Sequence, residues 1–495
     1  MAEGERPQHA VVVAYPGQGH INPLMQLSLR LASSMGFFVT FVTTRGNHES
    51  ILAAWERQGV APPWERGLSI QMRPIPDDVL PPRSMGGIFH FLEGVKKLGP
   101  GLEELMEALA KDPSMPPVSC VVSDAFLLWA AGVARRFGVP WVMYFPLPVL
   151  AFLIYHHASA TEVLSSRDPE CEDLIECPGV IPLHPLELPS LVCNPQDTTH
   201  ELLRGMSDGA RNSAAWVFFN TCPALEQPLI DAAREQGFDR FVPVAPLFPP
   251  SFLGLGDLDH RSSPQEFFTS SLWEQDLSCL DWLDRQPPRS VLYISFGSIA
   301  AMNFSQLEVL LDGLLDLGER FLWVLRPDLV SDMGEEDHAR FLDRAKDLGL
   351  VVRWAPQLQV LRHGSTAAFL THCGWNSTFE SICAGVPTIC QPCFAEQKAN
   401  AKYVVEVWKT GVKLAKGHRG DFSKEDVLRA ISAVMGGGEQ TDSIRKRAAD
   451  LRDACRKDFQ EMSGLKAFAA DLLAKNKSAE FSTAKIEPKI SDGFV

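Results

Sequence analysis

Short apolar runs alternate with segments of helical spacing along most of the chain, and this alternation limits the possible folds more than any other feature. One series begins at residues 10–15 (AVVVAY) and ends near residue 247. A second series begins at residues 290–298 (SVLYISFGS) and includes residues 366–374 (TAAFLTHCG). Strands that alternate with helices indicate parallel sheets covered by helices on both faces. The sequence therefore predicts an α/β protein with two doubly wound, Rossmann-like domains.

A segment rich in Pro, Gly, Ser and Asp separates the two series, and 495 residues are too many for one ordinary core. We therefore expect an N-terminal domain at residues 1–247, a linker at 248–272 and a C-terminal domain at 273–455. Residues 456–495 are expected to form a helix that packs back on the first domain, followed by a flexible tail. Two such sheets face a cleft between the carboxyl ends of their strands, where these folds bind ligands.

Composition and charge exclude several classes of partner. The formal net charge of −15 argues against nucleic acid or an anionic membrane as the main partner. The most apolar run, Trp141 to Tyr155, contains two prolines and is shorter than the ~20 residues of a spanning helix, so we predict a buried strand, a loop and a helix start. No targeting segment is evident, and the eleven scattered cysteines are typical of the cytosol. Cys390 and Cys393 form a lone C-x-x-C, which is a weak metal signal.

Residues 371–380 (THCGWNSTFE) run from a strand through a turn into a helix, which we expect to open at Asn376. The first turn of a helix attracts anions, and His372, Asn376 and Ser377 add polar groups there. Taken alone, Asn376 and Ser377 could simply cap the helix. Glu380 lies one turn later, and a carboxylate beside an anion site is favourable when it accepts hydrogen bonds from ribose hydroxyls. A phosphate with a sugar attached accounts for both features.

Three further polar or aromatic residues flank this segment. Trp354 ends a predicted strand, where it could belong to the core or stack on a base. Glu396 and Gln397 follow an apolar strand, where they could simply be exposed to solvent or bind sugar hydroxyls.

Residues 354–397 resemble the donor-site box of the plant secondary product glycosyltransferases, with WAPQ, HCGWNS, ES and GVP in place over 44 residues. The similarity to plant uridine-diphosphate (UDP) glycosyltransferases extends from PGQGHINP through SFGS to the helices near residue 455. It implies the GT-B fold, with the acceptor held mainly by the first domain. It also implies a UDP-sugar donor and no cofactor or metal ion.

The resemblance assigns roles to the residues of the box. Trp354 would stack on uracil, Glu380 would bind the ribose, and His372 would contact the diphosphate. The full UDP-binding set is Ser298, Trp354, Ala355, Gln357, His372, Gly374, Asn376, Ser377 and Glu380. The sugar-binding set is Trp375, Glu396 and Gln397, and Trp375 and Gln397 usually accompany glucose in this family. Glu396 and Gln391 depart from the family pattern, and such changes can shift the donor sugar.

His20 in YPGQGHINP could be a turn residue, a metal ligand or a catalyst, and the resemblance implies that it is the general base with Asp124 as its partner. A hydroxyl is a poor nucleophile until a neutral imidazole removes its proton. A carboxylate on the other ring nitrogen fixes the tautomer and stabilises the imidazolium. Both residues follow strands of the first sheet and can reach one rim of the cleft. The expected reaction is a single displacement that inverts the anomeric carbon and gives a β-glycoside.

The acceptor site is expected in segments 75–95, 141–155 and 178–193, which are rich in apolar residues. Candidate contacts are Gln18, Gly19, Phe126 and Phe145. A flavonoid or another phenolic fits best by analogy with the family, and terpenoids and carboxylic acids remain open. The alternatives to transfer are a nucleotide-sugar epimerase and a non-catalytic UDP-sugar binder. We expect a monomer. We also expect it to stay in the cytosol, partly because a glycan on the sequon at Asn376 would fill the phosphate site.

Overall fold

The computed structural model describes residues 7–78, 80, 93–160, 173–193, 197–255, 270–297, 302–326, 330–415 and 421–477. The strands are β1 His9–Val13, β2 Phe38–Thr44, β3 Ile70–Ile75, β4 Val118–Asp124, β5 Trp141–Phe145, β6 Trp216–Phe219, β7 Phe241–Pro243, β8 Val291–Ser295, β9 Met302–Asn303, β10 Arg320–Val324, β11 Val330–Ser331, β12 Gly349–Val352, β13 Thr366–Thr371, β14 Thr388–Cys390 and β15 Gly411–Lys413.

The α-helices of the first half are α1 Gln18–Met35, α2 Arg45–Arg57, α3 Gly99–Lys111, α4 Ala130–Arg136, α5 Val149–Ala160, α6 Ser190–Cys193, α7 Asp197–Asp208 and α8 Pro223–Glu235. Those of the second half are α9 Ser278–Asp284, α10 Phe304–Leu317, α11 Glu335–Ala345, α12 Gln357–Arg362, α13 Trp375–Ala384, α14 Gln397–Lys402, α15 Lys424–Met435, α16 Glu439–Glu461 and α17 Ser463–Lys477. Short 3₁₀ turns lie at Lys96–Leu98 and Pro185–Glu187, and π turns at Gly209–Ser213 and Tyr403–Val407.

Two parallel sheets organise the chain. The first has the strand order β3-β2-β1-β4-β5-β6-β7, and the second has the order β12-β10-β8-β13-β14-β15. The central strands are buried along their whole length, as in the HAVVV of β1 and the TAAFLT of β13. Helices cover both faces, which is why these strands are almost continuously apolar. The predicted class, two doubly wound α/β units, is confirmed. We call the part built on the first sheet the first lobe and the other part the second lobe.

Each sheet has one point at which its strand order reverses. In the first sheet this point lies between β1 and β4, whose last paired residues are Val13 and Ser123. In the second sheet it lies between β8 and β13, where Ser295 pairs with Thr371. Adjacent strand ends diverge into opposite helices at such a point, which leaves a crevice for ligands. The topology therefore brings the segments after β1 and β4 together, and likewise those after β8 and β13.

Helix α1 starts earlier than its sequence indicates. An Asn followed by Pro is typical of a helix start, so the sequence predicts Asn22 as the cap and Pro23 in the first turn. This prediction is wrong, because the helix begins at Gln18 and Pro23 lies inside it. Asn22 instead accepts a hydrogen bond from the backbone N–H of Ser270 at 3.1 Å. Pro23 has no N–H to donate to the carbonyl of Gly19 one turn earlier. The Gly19 carbonyl instead accepts a hydrogen bond from the second lobe.

The two lobes contact each other through several polar groups. Glu187 of the first lobe is buried, and its carboxylate lies 3.0 Å from the ammonium nitrogens of both Lys402 and Lys413 in the second. The backbone N–H of Ala395 donates to Ser190 Oγ at 2.9 Å. These contacts hold the segment before α6 against the loop that carries Glu396.

The last helix, α17, returns to the first lobe. The ring of Phe468 stacks on Phe37 and packs edge-on against Trp216 and Phe218. Residues 256–269 of the predicted linker and 478–495 of the predicted tail lie outside the described residues. The domain boundaries at residues 247, 272 and 455 stay a prediction.

The apolar run at 141–155 forms β5, a short connection and the start of α5, as predicted. Within the described ranges, every helix is too short or too polar to span a bilayer.

Candidate active site

His20 and Asp124 form a close pair at the carboxyl edge of the first sheet. His20 lies in the first turn of α1, and Asp124 is the last residue of β4. The His20 Nδ1 and Asp124 Oδ2 atoms are 2.7 Å apart. The Asp124 side chain is fully buried, whereas 21% of the His20 side chain is exposed. The pair therefore presents one side of an imidazole to solvent and keeps its carboxylate inside.

The surroundings of this pair fix its geometry. Asp124 Oδ1 accepts a hydrogen bond from the backbone N–H of Phe126 at 3.0 Å, which holds the carboxylate in place. The rings of Tyr15 and Phe126 lie 4.6 and 5.3 Å from the His20 ring. Burial raises the pKa of Tyr15, and the nearby Asp124 raises it further, so its phenol is neutral. A carboxylate accepts hydrogen bonds, so the His20 proton is assigned to Nδ1 and the lone pair to Nε2.

The start of α13 lies after the strand-order reversal of the second sheet. The helix begins at Trp375, not at Asn376 as predicted, and its N-cap is Gly374, which has no side chain to satisfy the first N–H groups. The His372 ring packs closely here, because an added Cβ would meet it at 2.6 Å from Gly297 and at 2.5 Å from Gly374. Burial lowers the pKa of His372 to about 4, so the imidazole is neutral at physiological pH, and its ring donates to the backbone carbonyl of Ser295. Glu396 accepts a hydrogen bond from the backbone N–H of Trp375, so the N–H groups of the following residues are the ones left for an anion.

Three of the predicted UDP-binding residues form one hydrogen-bonded cluster. Gln357 Nε2 donates to Glu380 Oε2 at 2.6 Å and to Ser377 Oγ at 3.0 Å. Gln357 Oε1 accepts from the hydroxyl of Tyr293 at 3.1 Å. Burial raises the pKa of Glu380 to about 7, and the hydrogen bond from Gln357 acts in the opposite direction. The carboxyl group therefore titrates near neutrality.

Trp354 has an aromatic neighbour that sequence reasoning missed. The Trp273 ring lies 4.8 Å from the Trp354 ring, and the Arg326 guanidinium lies 4.9 Å from the Trp273 ring. Trp354 remains partly exposed, and the adjacent Ala355 is buried. Trp273 directly follows the predicted linker, and nothing in its local sequence indicated a contact with a strand end 81 positions later.

Glu396 and Gln397 are buried, not solvent-exposed. Gln397 Oε1 accepts from the backbone N–H groups of Cys393 and Phe394 at 2.9 and 3.0 Å. Glu396 Oε1 accepts from Asn400 Nδ2 at 3.4 Å, and burial raises its pKa. Both side chains shape the loop between β14 and α14, next to the start of α13.

A hydrogen-bonded bridge joins the two sites. Asn376 Nδ2 donates to the carbonyl of Gly19, the residue before His20, at 2.6 Å. Asn376 Oδ1 accepts from Asn220 Nδ2 at 3.1 Å. The indole N–H of Trp375 donates to the carbonyl of Asn220 at 2.7 Å. Sequence reasoning also missed Asn220, because a single Asn after a strand carries no signal of its partners.

Three predicted contacts need correction. The Trp375 side chain does not face a sugar, because it is buried on Phe379 and its one N–H is used by Asn220. Phe145 is not an acceptor contact, because it is fully buried in the core against Phe152 and Phe219.

Gln18 is also not available to an acceptor. Its Nε2 donates to the carbonyl of Ser270 at 3.0 Å, and its Oε1 accepts from the N–H of Leu272 at 2.7 Å. Its amide therefore holds the end of the predicted linker. Ser298 and residues 81–92 of the predicted acceptor segments lie outside the described residues. Among the described residues, no cluster of His, Cys, Asp and Glu has the composition of a metal site.

Comparisons with known proteins show which family the chain resembles. The family described as "UDP-glucoronosyl and UDP-glucosyl transferase" matches residues 268–448. Linamarin synthase 1 of Manihot esculenta is 33% identical over 90% of this chain and 92% of its own length. The 7-deoxyloganetin glucosyltransferase of Gardenia jasminoides is 34% identical over 92% and 95% of the two chains.

A solved structure shows that the similarity extends to the three-dimensional fold. Phytolacca americana UGT2, complexed with UDP-2fluoro-glucose and pterostilbene, is 28% identical with a TM-score of 0.74, and the match covers 95% of this chain and 99% of that one. Two facing Rossmann-like lobes with a crevice at each strand-order reversal define a GT-B glycosyltransferase. The chain belongs to the plant UDP-glycosyltransferase family.

Proposed function

We propose that this protein is an inverting glucosyltransferase that moves glucose from UDP-glucose to a hydroxyl of a lipophilic small molecule, with a flavonoid or another phenolic as the preferred acceptor. One observation carries the proposal. The turn that bears the His20–Asp124 pair is hydrogen-bonded, through Gly19 and Asn376, to the start of α13. A proton acceptor and an anion site thus flank one crevice.

In the proposed reaction, His20 Nε2 removes the proton of the acceptor hydroxyl as its oxygen attacks the anomeric carbon. The bond from that carbon to the diphosphate oxygen breaks, and UDP leaves from the opposite face. Attack from the opposite face converts an α-linked donor to a β-glycoside. Asp124 stabilises the imidazolium, and the free N–H groups of α13, beside the neutral His372 ring, stabilise the charge on the departing diphosphate.

The donor would lie along the second lobe. Trp354 and Ala355 would hold uracil, and the Gln357–Glu380 pair would accept the ribose hydroxyls. Gly374, Asn376 and Ser377 would hold the phosphates together with Ser298. Glu396 and Gln397 would contact the sugar, and Trp375 would contribute its backbone. Glucose is the proposed sugar because one relative is named a glucosyltransferase and a solved neighbour is complexed with a fluoro-glucose donor.

The acceptor proposal rests on the rings around His20. Tyr15 and Phe126 give the imidazole an apolar, aromatic rim, which favours a flat, lipophilic acceptor over a polar one. A relative whose name refers to deoxyloganetin keeps a terpenoid as the second candidate. We also propose a cytosolic location, since the ten cysteines among the described residues are free thiols.

A mass-spectrometric screen tests the proposal. UDP-glucose, UDP-galactose, UDP-xylose and UDP-glucuronate are each combined with flavonols, simple phenols, terpenoid alcohols and aromatic acids. We expect a +glucose product on a phenolic hydroxyl and its absence with His20→Ala. Preference for another acceptor class would reject the phenolic assignment alone. Conversion of UDP-glucose without any acceptor would support the epimerase, and UDP binding without turnover would support a binding protein.

A further inference from the structure

Asn220 holds the first two residues of α13 from the opposite lobe. It directly follows β6 at the carboxyl edge of the first sheet, and only 4% of its surface is exposed. Its side-chain Nδ2 donates to Asn376 Oδ1, and its backbone carbonyl accepts from the indole of Trp375. A single residue therefore fixes both the side chain at the helix start and the helix start itself.

The partners of Asn376 determine the orientation of its amide. The carbonyl of Gly19 can only accept a hydrogen bond, so the nitrogen end of the amide faces the turn of His20. Asn220 supplies a donor to the oxygen end. The reverse orientation would place two oxygens against each other at Gly19. The two bonds thus support one orientation, with the amide nitrogen of Asn376 toward Gly19 and its oxygen toward Asn220.

We propose that Asn220 is a positioning residue for sugar transfer, which acts by fixing the Asn376 amide and the start of α13 relative to the turn of His20. This inference rests on the proposed function, because it gives Asn220 a part in the same reaction. In this orientation one N–H of the amide bonds to Gly19, and the second would be left for the anionic donor at the start of α13. A reversed amide would present an oxygen to the diphosphate and weaken the stabilisation of the leaving group.

A purely structural role for Asn220 predicts a different result for the protein that remains folded. Asn220→Asp keeps the size of the side chain but places a carboxylate in a buried site, so a loss of stability alone predicts a lower melting temperature in both variants and an unchanged kcat for the folded fraction. A carboxylate can only accept, however, and it would draw Asn376 Nδ2 away from Gly19. The positioning role therefore predicts that Asn220→Asp is the worse variant.

The test measures kcat at saturating UDP-glucose, with the acceptor that the wild-type protein glucosylates best, and UDP affinity by calorimetry. We expect Asn220→Ala to lower kcat about 10-fold, the usual effect of losing one buried hydrogen bond, and Asn220→Asp to lower it further. UDP affinity should fall as well in Asn220→Ala, because the displaced Asn376 amide is proposed to contact the phosphates of UDP. In the background of Asn376→Ala, adding Asn220→Ala should change kcat by less than about twofold, because its partner is gone.

Thr441→Val is the matched control. Thr441 is as buried as Asn220, and its hydroxyl donates to the carbonyl of Ala433 in α15 and to that of Gly437 in the turn before α16. Thr441→Val should lower the melting temperature without changing kcat. If one of the two Asn220 variants melts below the assay temperature, the other decides, because each should lower kcat in protein that remains folded.

The outcomes separate this inference from the proposed function. A wild-type protein that transfers no sugar to any acceptor rejects both. An active wild type with unchanged kcat in Asn220→Asp, or with an Asn220→Ala effect of equal size in the Asn376→Ala background, rejects the inference only.

Discussion

The same strand–turn–helix unit appears in both lobes with opposite chemistry. β1 leads into α1 and β13 leads into α13, each beside the strand-order reversal of its sheet. Both helices begin after a glycine N-cap, Gly17 or Gly374, and both end at a left-handed glycine, Gly36 or Gly385. The topology therefore gives the two turns the same backbone arrangement.

Their side chains and one proline make them different. The turn of α1 carries an imidazole on a buried carboxylate, and Pro23 leaves the Gly19 carbonyl to accept from the other lobe. The turn of α13 offers N–H groups and a neutral histidine. Under the proposed function, the same unit would serve proton removal in the first lobe and anion binding in the second. Substitutions in the first lobe should change kcat, and those in the second should change UDP affinity.

His20→Ala gives the sharpest test of this division. Loss of the general base should lower kcat by roughly 10²–10⁴-fold, while calorimetric UDP affinity stays near wild type. His363→Ala is the control, because His363 contacts Asp284 at 3.2 Å near the amino end of β13, at the opposite edge of its sheet. Equal losses in the two variants would contradict a specific role for His20.

Asp124→Asn should produce the next largest effect, a loss of about 10²-fold in kcat. The amide can keep the acceptor for the Phe126 N–H and turn its nitrogen toward His20 Nδ1. The His20 proton would then move to Nε2, the wrong tautomer for a base. Steady-state kinetics with the Asp284→Asn control measures this, and unchanged kcat would show that Asp124 does not act through His20.

Trp354→Ala tests the predicted role of the second lobe in UDP binding. Loss of stacking on the base should weaken UDP binding roughly 10-fold or more, with a smaller change in kcat at saturating donor. Trp64→Ala, an exposed tryptophan of the first lobe, serves as the control in calorimetry. Unaltered UDP affinity in Trp354→Ala would place the base elsewhere.

Glu380→Gln tests the smallest expected effect, which depends on pH. Because the pKa of Glu380 is raised to about 7, the group is mostly protonated at pH 6 and ionised at pH 8. The carboxylate is the better acceptor for ribose hydroxyls, so UDP affinity should rise with pH across this window, about 3–10-fold. The Glu380→Gln variant should lack this contribution. Titration of UDP itself is common to both proteins, so parallel pH profiles would contradict the assignment.

The strands were easier to predict from the sequence than the helix starts, and the reason is physical. Buried parallel strands are continuous apolar runs, so β1, β4, β8 and β13 were visible, and the topology then brought His20 and Asp124 together. The start of α1 was misplaced because Pro23 is usually a first-turn residue, whereas its missing N–H is tolerated here one turn later.

Contacts between the lobes could not be predicted in the same way. Asn220 and Trp273 meet residues 156 and 81 positions away, and no local pattern encodes such a pair. Phe145 ends a strand beside the site, yet its side chain points into the core. A strand end locates a residue at an edge but does not say which face its side chain takes.

The return of α17 to the first lobe limits how this enzyme can be recombined with its relatives. Phe468 covers aromatic surface of Phe37, Trp216 and Phe218, so a hybrid made by one crossover near residue 250 would pair that surface with a foreign terminal helix. Hybrids that exchange acceptor preference should therefore use two crossovers and keep residues 463–477 with their own amino-terminal half.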